Sequence, residues 1–193
     1  MENKRTDCPA FTGLEAAIVL IAFVTVASVF SYVILGAGFS TTQKSQEVIH
    51  SSIGQASSVM MNSGGVYGIS ISGDTIDMVN FTLGLSAGGG MIDFATVAVT
   101  YSDATHLETL TPVPGWRSAA TIPGTWAIIN VQNEMGKPNN LLEKGEFFTI
   151  SIYPTQGIPR NDRFSIELIP SGGSAIAITA TAPGSITTVN QLY

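Results

Sequence analysis

The side chains that most often carry catalysis or bind metals are few in this 193-residue chain. Its two histidines, His50 and His106, do not belong to an H-E-x-x-H zinc motif, and its one cysteine, Cys8, cannot build a cysteine-based metal site. The sequence contains no P-loop, no G-x-S-x-G nucleophile motif and no G-x-G-x-x-G before a helix. Because no nucleophile–base pair or metal constellation is visible, we expect that the chain is not an enzyme.

Aspartates are the remaining candidates for a metal site. Asp74 with Asp77, and Asp93 with Asp103, could offer carboxylate oxygens to a hard cation such as Ca²⁺. Their spacing does not match the ligand positions of an EF-hand loop. We therefore expect no cofactor, with a structural Ca²⁺ ion as the alternative.

The charge of the chain bears on its partners. Its formal net charge is −6, with 14 acidic and 8 basic side chains. Nucleic-acid binding requires a basic patch, so we expect no nucleic-acid partner. An excess of acidic side chains is consistent with a soluble surface that faces outward.

The longest apolar stretch covers residues 14–39, and Glu15 is its only acidic or basic member. As a helix these 26 residues would rise about 39 Å, more than the roughly 30 Å hydrocarbon core of a bilayer. Lys4 and Arg5 precede the stretch and favour a cytoplasmic N-terminus. The stretch is too long for a secretory signal peptide, and no small-residue cleavage site ends it. A permanent membrane anchor and a class III signal, which is cut before the apolar helix, remain as alternatives.

Residues 9–15 read PAFTGLE, and this junction resembles that of type IV prepilins. These proteins have a short basic leader, a small residue, and a mature chain that begins with Phe and has Glu at its fifth position. Cleavage between Ala10 and Phe11 would make Glu15 the fifth residue and Gly13 the third, where archaellins typically have Gly. Ala10 stands where Gly is usual, although Ala is tolerated in archaeal leaders. The aliphatic run AAIVLIAFV that follows also resembles the archaellin helix.

The resemblance to archaellins implies how the chain would be processed and assembled. An archaeal prepilin peptidase would remove residues 1–10, and a membrane platform with a cytoplasmic ATPase would then add the subunit to an extracellular filament for swimming. Phe11, Gly13 and Glu15 would act in assembly, with the Glu15 carboxylate neutralising the new α-amino group of Phe11. The Asn80-Phe81-Thr82 sequon would make Asn80 a candidate for glycosylation.

A helix that is apolar on all sides must be buried on all sides. Outside the membrane, only copies of the same helix can bury it, and a head-to-tail contact that does not close produces a filament. From Ser40 the pattern becomes amphipathic, with Val48, Ile49 and Ile53 at helical spacing. We therefore predict one long helix over residues 11–61, whose second half packs on the rest of the chain.

Residues 62–193 predict a β-rich head, because alternating apolar runs are separated by Gly, Pro, Asn and Asp turns. The predicted strands cover 66–72, 75–86, 93–101, 125–132, 146–153, 163–169 and 175–181. About seven strands suggest an antiparallel sandwich or barrel of immunoglobulin-like class. The expected fold is therefore α+β, with a long N-terminal hydrophobic helix before this head.

The leading hypothesis is thus a structural subunit of the archaeal flagellum that polymerises with copies of itself. Two alternatives remain at this stage. One is an adhesion type IV pilin or pseudopilin, and the other is a membrane-tethered extracellular binding module that keeps its leader.

Overall fold

The computed structural model describes residues 13–134 and 136–193, without the side chain of Ser57. The chain divides into two units, Met1–His50 and Ser51–Tyr193. The predicted leader, 1–10, and the predicted cleavage residues Ala10 and Phe11 lie outside the described residues.

One long helix, α1, spans Gly13–Ser57. Its first half is the apolar run, which contains strong helix formers and no proline. The helix ends four residues before the predicted boundary at Met61, because the N–H and the hydroxyl of Ser58 both donate to the Gly54 carbonyl, at 3.2 and 2.8 Å. The chain then enters a strand in which Met60 is buried, so sheet pairing replaces the last predicted turn of helix.

Within the described residues, the second unit contains twelve strands and one short 3-10 helix. The 3-10 helix is Phe94–Thr96. The strands are β1 (Met60–Asn62), β2 (Val66–Ile69), β3 (Met78–Leu85), β4 (Ile92–Asp93), β5 (Ala98–Ser102), β6 (Leu107–Pro112), β7 (Thr125–Gln132), β8 (Leu141–Leu142), β9 (Phe147–Tyr153), β10 (Arg163–Ile169), β11 (Ile176–Thr181) and β12 (Val189–Leu192).

Ten of these strands form one sheet in the order β11-β10-β5-β6-β7-β9-β3-β2-β12, with β1 also paired to β3. All pairings are antiparallel except the short contact between β6 and β7. The two ends of the sheet approach each other, since the Thr181 N–H donates to the Tyr193 carbonyl at 2.7 Å and Val59 forms a bridge with Ser174. The sheet is therefore nearly a barrel, and the predicted α+β class with an antiparallel β head is confirmed.

The strands β1, β6, β8 and β12 were not predicted from the sequence. In β6 only Leu110 is buried, and β12 has just four residues, so neither shows a long apolar alternation. The predicted strand 93–101 is interrupted by the 3-10 helix, because the Asp93 carboxylate caps it by accepting the Ala95 N–H at 2.9 Å.

Aromatic side chains dominate the core inside the barrel. Phe94, Trp126 and Phe148 are fully buried, and the Phe94 ring lies 6.2 Å from that of Trp126 and 5.1 Å from that of Phe148. A second, smaller core lies on the other side of β7, where Val113 and Ala120 pack with Ala127. The loop between β6 and β7 thus covers part of the outer surface of the sheet.

Candidate assembly helix and surface sites

Within the described residues, α1 presents a long exposed apolar surface. From Leu14 to Phe39 every large hydrophobic side chain is between 47 and 79% exposed, on all sides of the helix. By length and composition this helix could cross a membrane, and none of its most apolar window is buried within the chain. A soluble monomer would not tolerate such a surface, so it requires lipid or another protein copy.

The two predicted assembly residues that the structure describes lie at the start of this helix. Gly13 is the first described residue of α1, and a Cβ added there would meet no atom within 4 Å. Glu15 lies in the first turn and is exposed, and a carboxylate at this position is stabilised by the helix dipole. The predicted pairing of Glu15 with the amino group of Phe11 stays a prediction, because Phe11 is outside the described residues.

The amphipathic half of α1 is also exposed. Ile49 is 55% and Ile53 is 60% exposed, values within the range of the apolar half. The expectation that this half packs on the rest of the chain stays a prediction, because the chain divides into two units within this half, at His50. Lys44 and Glu47, the charged side chains of this half, form an ion pair of 2.7 Å with each other.

Asn80 lies on β3, between Tyr67 of β2 and Ser151 of β9. Its side chain is half-buried, and its Oδ1 atom is buried without a hydrogen-bond partner among the described residues. A groove of about 310 Å³ lies beside it and is lined by Tyr67, Thr82 and Val189, among others. The hydroxyl of Thr82, the third residue of the sequon, is 3.2 Å from that of Thr149. The sequon is thus at the barrel surface within a strand, and its glycosylation stays a prediction.

The first pair of candidate metal-binding aspartates does not converge on a common point. Asp74 accepts a hydrogen bond from Arg160 at 3.0 Å, and Asp77 accepts the N–H of Ile71 at 2.6 Å. Asp74 thus links the β2–β3 connection to the β9–β10 connection, whereas Asp77 stabilises a turn within the β2–β3 connection.

The second pair is also separated. Asp93 caps the 3-10 helix, whereas Asp103 accepts the N–H groups of Thr105 and His106 at 2.7 and 2.6 Å. Although partial desolvation acts in the opposite direction, these hydrogen bonds hold the pKa of Asp103 below its ordinary value. Burial, together with the Asp103 carboxylate that its hydroxyl contacts at 3.2 Å, raises the pKa of Tyr101. Within residues 13–134 and 136–193, no three His, Cys, Asp or Glu side chains come close enough to hold a metal ion.

No sequence pattern indicated the polar cluster that the structure shows around Arg117. Its guanidinium lies 2.7 Å from the Glu134 carboxylate and also donates to the carbonyl of Asn139. The hydrogen bond from Arg117, assisted by its charge, holds the pKa of Glu134 below the ordinary glutamate value. Ser118 and Asn130 line a shallow groove of about 330 Å³ beside this pair. These groups come from three separate segments, so no local motif could have revealed them.

A long exposed apolar helix joined to a nearly closed antiparallel barrel is the architecture of an assembling subunit, and comparison with known proteins gives its family. The archaeal-type flagellin family model matches residues 10–180. This range covers most of the chain, so the chain belongs to the archaeal-type flagellin family.

Individual relatives agree with this assignment. The chain is 41% identical over 187 residues to a probable flagellin 1 of Archaeoglobus fulgidus, covering 91% of each chain. It is 37% identical over 199 residues to a probable flagellin 2 of the same organism, covering 95% of this chain and 94% of the relative. Its structure resembles that of the archaeal flagellum of Methanospirillum hungatei strain JF1, with a TM-score of 0.72, 33% identity, and 94% and 99% of the two chains covered.

Proposed function

We propose that this chain is a structural subunit of the archaeal flagellum, the archaellum, and that it polymerises through α1. The observation that carries the proposal is the uncovered apolar surface of α1 in a chain whose fold matches that of the Methanospirillum hungatei flagellum along 94% of its length. The family supports a structural role and not a catalytic one.

Burial of α1 supplies the driving force for polymerisation. Each large aliphatic side chain that leaves water contributes about 1.5–3 kcal/mol. Residues 14–30 include ten large apolar side chains, so the gross gain is on the order of tens of kcal/mol per subunit. This gain exceeds the entropy cost of association, estimated at about 4–15 kcal/mol.

We further propose that the subunit reaches the filament through the cytoplasmic membrane. The length and apolar character of α1 fit a transient membrane span. A prepilin peptidase would cut between Ala10 and Phe11, and a membrane platform with a cytoplasmic ATPase would insert the mature chain into the extracellular filament. Asn80 would carry a glycan on the barrel surface.

The N-terminal peptide of filaments sheared from cells, identified by mass spectrometry, tests this proposal. We expect a chain that begins at Phe11 in the filament fraction. A chain that stays in the membrane with residues 1–10 attached would instead support the tethered binding module. A swimming assay on a deletion strain distinguishes an archaellum subunit from an adhesion pilin. Loss of an archaellum subunit abolishes motility, whereas loss of an adhesion pilin affects attachment.

A further inference from the structure

A neutral part of the barrel surface surrounds Asn80. The strands β9, β3, β2 and β12 are neighbours in the sheet, and none of their residues is Asp, Glu, Lys or Arg. By contrast, β6 carries Glu108, and β10 carries Arg163 and Glu167. The charges of the head are therefore absent from the strands around Asn80, and this surface suits an uncharged ligand and not an ion.

The groove beside Asn80 has the composition of a small-ligand site. Its volume of about 310 Å³ lies at the lower end of the range for ligand pockets, about 300–1,000 Å³. Tyr67 and Val189 provide apolar walls, and the hydroxyls of Thr82 and Thr149, 3.2 Å apart, provide polar groups. A sugar ring has C–H groups on its faces and hydroxyls around its rim, so one ring can contact both kinds of wall.

Tyr67 is the aromatic side chain of this groove. It lies directly opposite Asn80 in the pairing of β2 with β3, so both side chains are on the outer face of the sheet. A Cβ at Gly65 would come within 3.0 Å of the Tyr67 hydroxyl oxygen and 3.1 Å of its Cζ atom, so the hydroxyl end of the ring lies directly over Gly65. This contact holds the ring, yet 45% of Tyr67 stays exposed. A side chain that is already held loses little conformational entropy when a ligand packs on it.

The amide of Asn80 connects the groove to a specific occupant. Its Oδ1 atom is buried and has no hydrogen-bond partner among the described residues. Because buried polar atoms normally have a partner, the occupant of this groove should itself carry polar groups. N-linked glycosylation attaches a sugar to the Nδ2 atom of the same amide. The covalent bond would keep that first sugar next to the groove at a high effective concentration.

We propose that the first sugar of the glycan on Asn80 packs in this groove, with one face against the Tyr67 ring and its hydroxyls near the threonine pair. The glycan then forms part of the barrel surface and stabilises the folded head, because the contact exists only in the folded chain. It also covers the exposed apolar surface of Tyr67 and Val189. This inference rests on the proposed glycosylation of Asn80 and specifies where the sugar binds.

Chemical nitration of Tyr67 tests the contact. The chain is solubilised in detergent from the membranes of its own cells and of a strain that lacks the oligosaccharyltransferase. The two samples have the same sequence and differ only in the glycan. Tetranitromethane nitrates accessible tyrosine rings, and Tyr67 is exposed enough in the polypeptide alone to react. We expect most of this nitration to be lost in the glycosylated sample, because the sugar covers the ring.

Digestion with trypsin and Asp-N reports the two sites separately. Residues 45–73 form one peptide, in which Tyr67 is the only tyrosine, and residues 77–92 form another, which contains Asn80. Equal nitration of Tyr67 with and without a glycan on Asn80 would overturn the inference. A 77–92 peptide without a glycan in the parent cells would overturn it together with the proposed glycosylation. Neither result depends on filament formation, which the filament fraction tests by itself.

A thermal measurement tests whether the contact stabilises the head. Tyr67→Leu removes the aromatic ring, and Leu107→Ala is the matched control, since Leu107 is also exposed but lies on β6, which β7 and β9 separate from β3. We expect the glycan to raise the melting temperature of the parent and of Leu107→Ala by about 2–4 °C. It should raise that of Tyr67→Leu by less than about 1 °C.

Each comparison is made within one sequence, with and without the glycan, so the direct effect of a substitution on the polypeptide cancels. The melting temperature of the unglycosylated Tyr67→Leu sample checks that this variant folds. The same rise in all three sequences would show that the glycan acts without Tyr67 and would overturn the proposed contact. Nitration needs no variant, so it decides the question if Tyr67→Leu does not fold.

Discussion

The guanidinium of Arg117 lies 2.7 Å from the carboxylate of Glu134 and also donates to the carbonyl oxygen of Asn139. Arg117 belongs to the loop that covers the outer surface of the sheet, whereas Glu134 and Asn139 follow β7. One side chain thus connects two surface segments.

Replacement of Arg117 by Met should weaken this connection. We expect the melting temperature to fall by about 2–4 °C, because both the ion pair and the hydrogen bond to Asn139 are lost. Tryptophan fluorescence of the detergent-solubilised chain measures it, because Trp116 precedes Arg117 and packs on Trp126. Arg160→Met is the matched control, since the Arg160–Asp74 pair is more exposed, and it should change the melting temperature less. An equal effect in both variants would contradict a special role for Arg117.

The same ion pair predicts a pH dependence. The pKa of Glu134 is lower in the folded chain than in the unfolded chain, so the pair stabilises the fold above the ordinary glutamate pKa of about 4.3. This contribution is lost as pH falls through the folded pKa. The difference in melting temperature between the parent and Arg117→Met should therefore be constant near neutral pH and shrink in acid. A difference that does not change with pH would show that Arg117 acts through its hydrogen bond to Asn139 and its packing, and not through the ion pair.

Gly173 should tolerate no side chain. Its φ of +116° favours glycine, and a Cβ there would collide with the carbonyl oxygen of Ser58. We expect Gly173→Ala to lower the free energy of unfolding by about 1–3 kcal/mol. Gly172→Ala is the control, because a Cβ at Gly172 meets nothing within 4 Å. Denaturant unfolding of the two variants measures the difference, and equal stabilities would refute the collision.

Glu15→Ala should reduce filament assembly. If Glu15 neutralises the amino group of Phe11 in the filament, its loss leaves that charge buried and unpaired, which is costly. The filament yield after shearing measures this effect. Glu47→Ala removes the other glutamate of α1, which forms an exposed ion pair with Lys44, and should have the smaller effect. Normal yield from Glu15→Ala would refute the assigned role.

Asn80→Gln should remove the glycan that we propose. Glycopeptide mass spectrometry of sheared filaments should show added mass on the parent peptide that carries residue 80 and none in this variant. Thr82→Ser keeps the sequon and should keep the added mass. An unmodified parent peptide would refute the proposed glycosylation of Asn80.

Local patterns in the sequence predicted the helix, the fold class and most strands. The apolar run of α1 and alternations such as Phe148, Ile150 and Ile152 have a period that the sequence displays directly. The end of α1 was predicted four residues late because its position depends on Ser58 and on the pairing of β1 with β3, which is a long-range contact.

The surface sites were less predictable, because they too depend on contacts that local sequence patterns do not show. The contact between Arg117 and Glu134 depends on how a loop folds over β7. The hydrogen bond from the Thr105 N–H to the Asp103 carboxylate forms only after the chain has turned between these residues. Neither arrangement leaves a regular spacing in the sequence.

The near closure of the barrel has a consequence for a crowded polymer. A free strand edge on each copy would invite its neighbours to add strands, and such addition leads to uncontrolled aggregation. Here the Thr181–Tyr193 hydrogen bond and the Val59–Ser174 bridge link the two borders of the sheet to each other. Identical heads can therefore lie next to one another in a filament without pairing their sheet edges.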